Sequence, residues 1–477
     1  MLTSLDQISI GQKWPPDKER LKRYTENKKL FEGKHAEVFK DWVRLLRGDQ
    51  RATLEIILNW HRRLSTLWAD LLLGEPPKIT AGEWQGREQE ELDEIIVNNN
   101  FLNIAYEAAL DISRYGDGIF KTRLDGHAII EAIPPALWHP IVNPSNIKDI
   151  QAHVIGWTFE VDTPGVFNRD KKTTYLRLEI HHKGAIENRL YTLDESIIDK
   201  QIPLKTFYPG LPDMEETGID DFLVVPVHNL STSDRIYGID DYSDLDSVIQ
   251  ELEIRIAQIS RILDKHADPN MYGPDTALMQ DPDTGQWVVK GGGKFYPVGE
   301  GEDPPGYVTW EGQLTAAFKE IEILIEQLYV LSETSAAAFG QLKSGLAESG
   351  TALRRLMMAP LAKVNRIRLR FDPAIKQTLW LASKLEASAG VGIELENINI
   401  QWQDGLPDDD KEQAEIYETY IRSGIMSRET AIQRLFDLDP ESLQLELEKI
   451  LTEQNQEVPM MFRAPVFPGE ETGEGEE

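Results

Sequence analysis

DDYSDLDSVIQELEIRIAQISRILDK, residues 240–265, decides how the rest of the chain is read. Leu245, Val248, Ile249, Leu252, Ile256, Ile259 and Leu263 recur three or four apart, the period of a helix with one buried stripe. Asp268-Pro269 stops it, so the helix spans about 35 to 40 Å at 1.5 Å per residue. Asp240, Asp241, Asp244 and Asp246 stand at its start, where carboxylates cap free amides and favour the helix dipole. A second amphipathic helix runs over residues 313–331, with Leu314, Phe318, Ile321, Ile325, Leu328 and Leu331 on one stripe. Between the two lies a small β module: Met271 to Pro274, the turn Asp281-Pro282-Asp283-Thr284-Gly285, a strand from Gln286 to Lys290, three glycines from Gly291, and Tyr307 to Trp310.

Upstream, Asp17 to Leu73 reads as helical, with Leu54, Ile57, Leu58, His61, Leu64, Leu67, Trp68 and Leu71 in period, until Gly74, Pro76 and Pro77 end it. Two more helices, Glu88 to Val97 and Phe101 to Tyr115, flank the turn formers Asn98 to Asn100. From Ile119 to Leu230 the period changes to short β-branched and aromatic stretches: Ala128 to Ile133, His153 to Val161, Thr173 to His182 and Phe222 to Val227. The alternation from Tyr175 to Ile180 predicts a strand with one wet face. His181 and His182 point to opposite faces of it and make no two-His metal site.

Downstream, Ser335 to Ser349 is Ala-, Ser- and Gly-rich, too poor in large apolar groups to hold a core. Thr351 to Trp380 is helical, with a kink or break expected at Asp372-Pro373. A strand from Ile398 to Trp402 precedes a helix around Ala414 to Ile421, a stop at Gly424 and an N-cap at Ser427. Beyond Pro459 the tail is Pro-, Gly- and Glu-rich and is expected to be disordered. The fold class is thus α+β and multi-domain, and 477 residues give ample length for it.

Charge narrows function. Eighty-one acids against 50 bases leave a net charge of −31, which argues against coating nucleic acid through a general basic surface. With no cysteine there are no disulfides, thiolate metal sites or thiol nucleophiles, which fits a reducing compartment. No apolar run approaches the roughly 20 residues of a membrane span, and the first 15 residues lack an export signal, so a chain assembled in the cytosol without a membrane partner is expected.

Catalytic motifs are missing. Val288 and Phe295 break the phosphate-cradling glycine-lysine pattern around Gly293-Lys294. Asp281-x-Asp283-x-Gly285 begins like a calcium loop but has Gly292 at its twelfth position, so a hairpin turn explains it better. Nine scattered His form no metal motif, and no serine-nucleophile elbow occurs. Arg354 to Arg370 is a basic helix, but Arg366, Arg368 and Arg370 fall on opposing faces, so pairing with acids elsewhere outweighs polyanion contact.

The order of these parts resembles the portal proteins of tailed bacteriophages. The matching stretches are Leu30-Phe31-Glu32-Gly33-Lys34-His35, Asn59-Trp60-His61-Arg62-Arg63 through Leu73-Gly74-Glu75-Pro76-Pro77, Tyr237-Gly238 with Ser243-Asp244-Leu245, and Ala267-Asp268-Pro269. They continue with Ser349-Gly350-Thr351-Ala352-Leu353-Arg354, Trp402-x-Asp404-Gly405-Leu406-Pro407-Asp408 and Gly424-Ile425-Met426-Ser427-Arg428-Glu429-Thr430. Their ordered co-occurrence over most of residues 20–455 carries the resemblance.

The resemblance implies a non-enzymatic subunit of a ring, usually of twelve, at one capsid vertex of a virion, conducting double-stranded DNA during packaging and ejection. It implies a wing over residues 1–239, with its β-rich part at 119–230, and a stem of two helices at 240–266 and 313–333. Leu252, Ile256, Ile259, Ile321, Ile325 and Leu328 would pack that stem. A clip at 267–312 would dock the terminase motor and head-completion proteins through Met271, Tyr272, Lys290, Lys294 and Tyr307. A tunnel loop at 334–349 would bring Gln341, Lys343, Ser344 and Glu348 toward the DNA. A long helix at 350–402 returns to the wing, and a crown at 403–456 precedes the acidic tail. Capsid and scaffolding proteins complete the partners; no cofactor or metal is expected. Closing a ring of subunits carrying −31 each should be salt-sensitive. Two rivals stand beside this reading: a metal-dependent hydrolase using Asp240, Asp241, Asp244 and Asp246, and a helical adaptor that forms no ring.

Overall fold

A computed structural model describes residues 2–39, 56–83, 86–163, 171–267, 271–272, 278–289, 301, 306–307, 314–341, 350–403, 410–436, 438 and 440–456. Caps and glycines set the first helices. Asp17 accepts from the Arg20 N–H at 3.1 Å and opens α1 (Lys18–Phe31); Asn59 accepts from Arg62 at 3.1 Å and opens α2 (Trp60–Leu73). The helical stretch expected from Asp17 to Leu73 is therefore interrupted. Gly33 turns away at φ +80°, and Ile57 and Leu58 lie before the Asn59 cap outside any helix; Leu54 falls outside the described residues. Gly74 ends α2 as the sequence indicates. α3 (Arg87–Asn99) and α4 (Phe101–Tyr115) meet at Asn100, whose φ of +49° is a left-handed turn that Asn tolerates.

The strands run in chain order as β1 (Lys78–Thr80), β2 (Asp117–Asp125), β3 (His127–Ala132), β4 (Trp138–Asn143), β5 (Asn146–Thr163), β6 (Lys171–His182), β7 (Ala185–Asp194), β8 (Ile197–Gln201), β9 (Met214–Glu216) and β10 (Val224–His228). Two antiparallel sheets result: β10-β2-β3, and β4-β5-β6-β7-β8 with β9 added to β7. Leu176, Leu178 and Ile180 turn one face of β6 into a core with Ile8, Trp14, Val154 and Tyr191. The opposite face is wetter at Tyr175 and Arg177 but not throughout. Glu179 and His181 are buried there, because Lys121 of β2 reaches across to the Glu179 carboxylate at 3.2 Å and His181 bonds it at 3.0 Å.

α5 (Asp246–Ala267) and α6 (Leu314–Leu331) are the two long helices. α5 begins six residues after Asp240, because Asp240 folds back to accept the Tyr242 and Ser243 N–H groups, each at 2.9 Å, in a turn that precedes it. Short strand pairs lie between the helices: β11 (Met271–Tyr272) pairs antiparallel with β14 (Gly306–Tyr307), and β12 (Leu278–Gln280) with β13 (Trp287–Val289). Asp281 Oδ1 accepts from Asp283 N at 2.8 Å, and Gly285 turns at φ +69°, so this acidic stretch is the hairpin turn read from sequence.

α7 (Gly350–Leu356) leads to α8 (Met358–Ser388), which runs unbroken through Pro373. Of the kink or break expected at Asp372-Pro373, the break does not form, since Phe371, Ala374 and Ile375 are buried on the continuing face. The carbonyl that Pro373 leaves without its helical donor is that of Leu369, a residue 76% exposed and open to water. β15 (Asn399–Gln401) pairs antiparallel with β1. α9 (Asp410–Arg422), α10 (Arg428–Phe436) and α11 (Pro440–Gln456) follow, with Gly424 at φ +72° as the stop and Ser427 Oγ accepting from Thr430 N at 3.1 Å as the cap.

Two compact units emerge: residues 1–341 with 356–405, and residues 342–355 with 406–477. The fold is a multi-domain mixture of helix and sheet. The acidic tail beyond residue 456 lies outside the described residues, and among those described no helix is long and apolar enough to cross a membrane.

Candidate functional site: the helix pair and its polar base

α5 and α6 pack as an antiparallel pair. Leu328, near the end of α6, shares a core with Leu245 and Ile249 at the start of α5, while Arg255 farther along α5 meets Glu320 near the start of α6 at 3.0 Å. Of the residues expected to pack this pair, Leu252, Ile259 and Leu328 are buried and Ile256, Ile321 and Ile325 are half-buried. Phe339, from the small-residue stretch, stacks on Tyr329 and meets Trp60 edge-on at 5.3 Å. One aromatic thus seats a segment whose composition gave no anchor.

The base of the pair is polar and largely buried. Glu253 of α5 is fully buried and accepts from the Leu58 N–H at 2.9 Å, and it lies 2.7 Å from His35 Nδ1. Asp246 is held at 2.5 Å by Arg23 and at 3.1 Å by His61. Burial works to raise the Asp246 pKa, but the His61 hydrogen bond and the Arg23 charge outweigh it and leave the carboxyl below its ordinary value. Burial lowers His61, against the opposing pull of Asp246. Asp241 takes the Lys363 ammonium at 2.9 Å, the Asn229 amide at 2.8 Å and the Ser113 hydroxyl at 2.7 Å.

Those contacts bear on the carboxylates of the hydrolase rival. Asp240 and Asp246 share the Arg23 guanidinium while Asp241 turns away to Lys363, and among the described residues no three metal-ligating side chains converge. Of the group that the sequence read as helix-start caps, Asp240 accepts backbone N–H groups in the turn before α5, whereas Asp241 and Asp246 bind side chains instead. The sequence missed their partners: Arg23, His61 and Lys363 come from elements far along the chain, and the stretch Asn59-Trp60-His61 had drawn notice only for its resemblance. The basic helix is likewise paired. Arg366 grips Glu333 at 2.6 and 3.0 Å, Arg370 donates to the Asn229 carbonyl at 3.0 Å, and Arg368 donates to the Gln403 carbonyl.

Other expected site residues divide as follows. Met271, Tyr272 and Tyr307 occupy the paired strands β11 and β14, with Met271 opposite Tyr307. Gln341 is exposed and accepts from the Tyr329 hydroxyl at 3.3 Å. Lys290, Lys294, Lys343, Ser344 and Glu348 lie outside the described residues.

The family model for phage portal proteins of the SPP1 Gp6-like type matches residues 10–460. The chain belongs to that portal family. No curated relative matches it. Among solved structures similar to this portal-family chain is a chain in the neck of an empty gene transfer agent particle computed with C6 symmetry, at 12% identity and TM-score 0.45, covering 84% of this chain and 95% of that one. Another is in the virion of the native gene transfer agent particle, at 12% identity and TM-score 0.40, covering 91% and 98%. A third is in the neck of the native particle computed with C12 symmetry, at 11% identity and TM-score 0.38, covering 84% and 94%.

Proposed function

We propose that this portal-family chain is the subunit of a closed ring, of about twelve copies by the family's habit, that sits at a capsid vertex and conducts double-stranded DNA. In this reading α5 and α6 are the stem, residues 267–312 the clip that docks the packaging motor and head-completion proteins, 334–349 the tunnel loop and 403–456 the crown. It acts as a conduit, not as an enzyme.

The observation that carries the ring is the second face of α6. Ile321, Leu324, Ile325 and Leu328 face α5, yet Ala316, Ile323 and Val330 form another stripe at seven-residue spacing on the far side. Ile323 is 47% and Val330 68% exposed. A helix apolar on opposite sides is a helix built to be covered twice. One subunit covers it once, and a neighbouring copy supplies the second cover.

Charge fits a conduit. Each Lys or Arg resting on a phosphate releases counterions and holds the strand, so sliding demands sparse contact. In a ring every wall residue repeats once per subunit, and screening over about 8 Å limits its influence to groups near the duplex. Lys343 would then give one thin positive collar in an acidic channel. Charge reversal, Lys343→Glu, should change the amount of nuclease-protected DNA in particles while rings still assemble. Deleting residues 271–307 should spare the ring and abolish motor binding. Unchanged packaging, or retained motor binding, would refute the respective assignment.

A further inference from the structure

The face of β6 that alternation marks as polar lines a cleft. Trp157 and Phe159 of β5, Arg177 and Glu179 of β6 and Asn188 of β7 share it with Lys121 and Arg123 of β2, and Tyr208 and Leu211 close the far side. Together they line a cleft of about 710 Å³ between the two sheets, large enough for a short peptide segment.

The charges in this cleft are unequally satisfied. Lys121 sits between Glu179, at 3.2 Å, and Glu131, at 3.4 Å. Arg123 pairs with Asp125 at 3.3 Å and lies 3.6 Å from Glu131. Arg177 has no carboxylate within 4.0 Å among the described residues. Its one hydrogen bond goes to Asn188 Oδ1 at 3.1 Å, and its Nε is buried without an acceptor. Tyr208 and Trp157 hold the guanidinium by their rings, with centroids 4.4 and 5.8 Å away. Cation–π contact satisfies the face of a guanidinium but not its N–H edge, and a buried N–H left unanswered is destabilising. A guanidinium held against rings, with Nη2 given to Asn188 and Nη1 without a partner among the described residues, is arranged to take a carboxylate at its Nη1 end.

We infer that this cleft is a docking site for an extended peptide of a partner protein, in which one Asp or Glu side chain meets Arg177 and the apolar residues beside it fill the space against Trp157, Phe159 and Tyr208. A polyanion is disfavoured. Lys121, Arg123 and Arg177 are balanced by Glu131, Glu179 and Glu215 in the lining, so a phosphate would meet three carboxylates, whereas a single carboxylate answers Arg177, the one of these three cations with no carboxylate within 4.0 Å among the described residues. This inference is independent of ring formation and stands or falls by its own test.

The test uses the purified full-length chain on an array of pentapeptides with a central Glu and flanks drawn from Leu, Val, Phe and Tyr, beside matched arrays with Gln or phosphoserine at the centre. The Glu peptides should bind about tenfold more tightly than their Gln counterparts. Arg177→Gln should erase that ratio, leaving both at the Gln level, and Arg177→Lys should shrink it, because a point charge replaces the fork. Equal binding of Glu and Gln peptides to the unaltered chain, which needs no variant to fold, would overturn the proposal. So would a Glu preference that survives Arg177→Gln, or stronger binding to the phosphoserine array.

Discussion

Lys363 of α8 places its ammonium 2.9 Å from Asp241 Oδ1, with both side chains less than a tenth exposed, and so ties the long return helix to the turn that starts α5. The aromatic face of Trp68 lies 4.2 Å from the same ammonium. Breaking a buried pair strands a charge, which costs about 3–5 kcal/mol. Lys363→Met should therefore lower the unfolding temperature markedly. Lys363→Met with Asp241→Asn should be less harmful than the two single changes added, because neither partner is then left charged alone; calorimetry on the four proteins measures the coupling.

Acid should loosen the fold in two windows. Burial pushes His153 down to about 3 and lowers His61 and His139 as well. The unfolded chain thus binds protons that the native state refuses, and stability is full above about pH 6.5 and falls as pH drops toward 3. Asp111, raised to about 7 chiefly by burial, opposes this by at most one proton. Lower still, Glu179 is held at about 2: burial works against it, but His181 and Lys121 prevail, so its contribution, roughly 3 kcal/mol, is present above about pH 4.5 and lost on descent to 2. His153→Gln should flatten the upper window in melting curves measured from pH 7 to 4. An unchanged slope would show that this imidazole is not held neutral.

Gly238 admits no side chain. A Cβ there would lie 1.9 Å from the Gly116 carbonyl oxygen, and that carbonyl already accepts the Asn229 N–H at 2.8 Å. Gly238→Ala should destabilise by about 1–3 kcal/mol or more through forced separation of the two backbones. Gly210→Ala, with open space around it, should stay within about 0.5 kcal/mol and serves as the control. Chemical denaturation of the two variants makes the comparison.

The exposed seam of α6 predicts a defect of assembly without a defect of folding. Ile323→Asp combined with Val330→Asp should leave helix content and melting of the subunit intact and shift the native mass from ring to single chain. Raising salt should favour the ring in the unaltered protein, since each subunit brings a charge of −31 to its neighbours. A variant that still forms rings would remove α6 from the interface.

What could be read in advance follows from range along the chain. α4 was read residue for residue and the β6 strand nearly so, because helical spacing, strict alternation and the Asn and Gly turn formers act locally. The hairpin at Asp281 was legible for the same reason. Pro373 did not end its helix, because burial of Phe371 and Ile375 on a long helix overrides a local breaker. The polar base was hidden, since Asp246, Arg23 and His61 meet from distant stretches and nothing in their spacing announces the meeting. Arg177 was invisible for a related reason: its place among Trp157, Asn188 and Tyr208 exists only after β2 and the Tyr208 segment close over β6.

The most direct measurement is negative-stain imaging of the purified full-length protein across a range of salt and concentration. Annular particles with an open centre are the predicted result, lost together with the apolar seam in the Ile323→Asp, Val330→Asp protein. Compact particles without a hole, under every condition that permits association, would contradict the account.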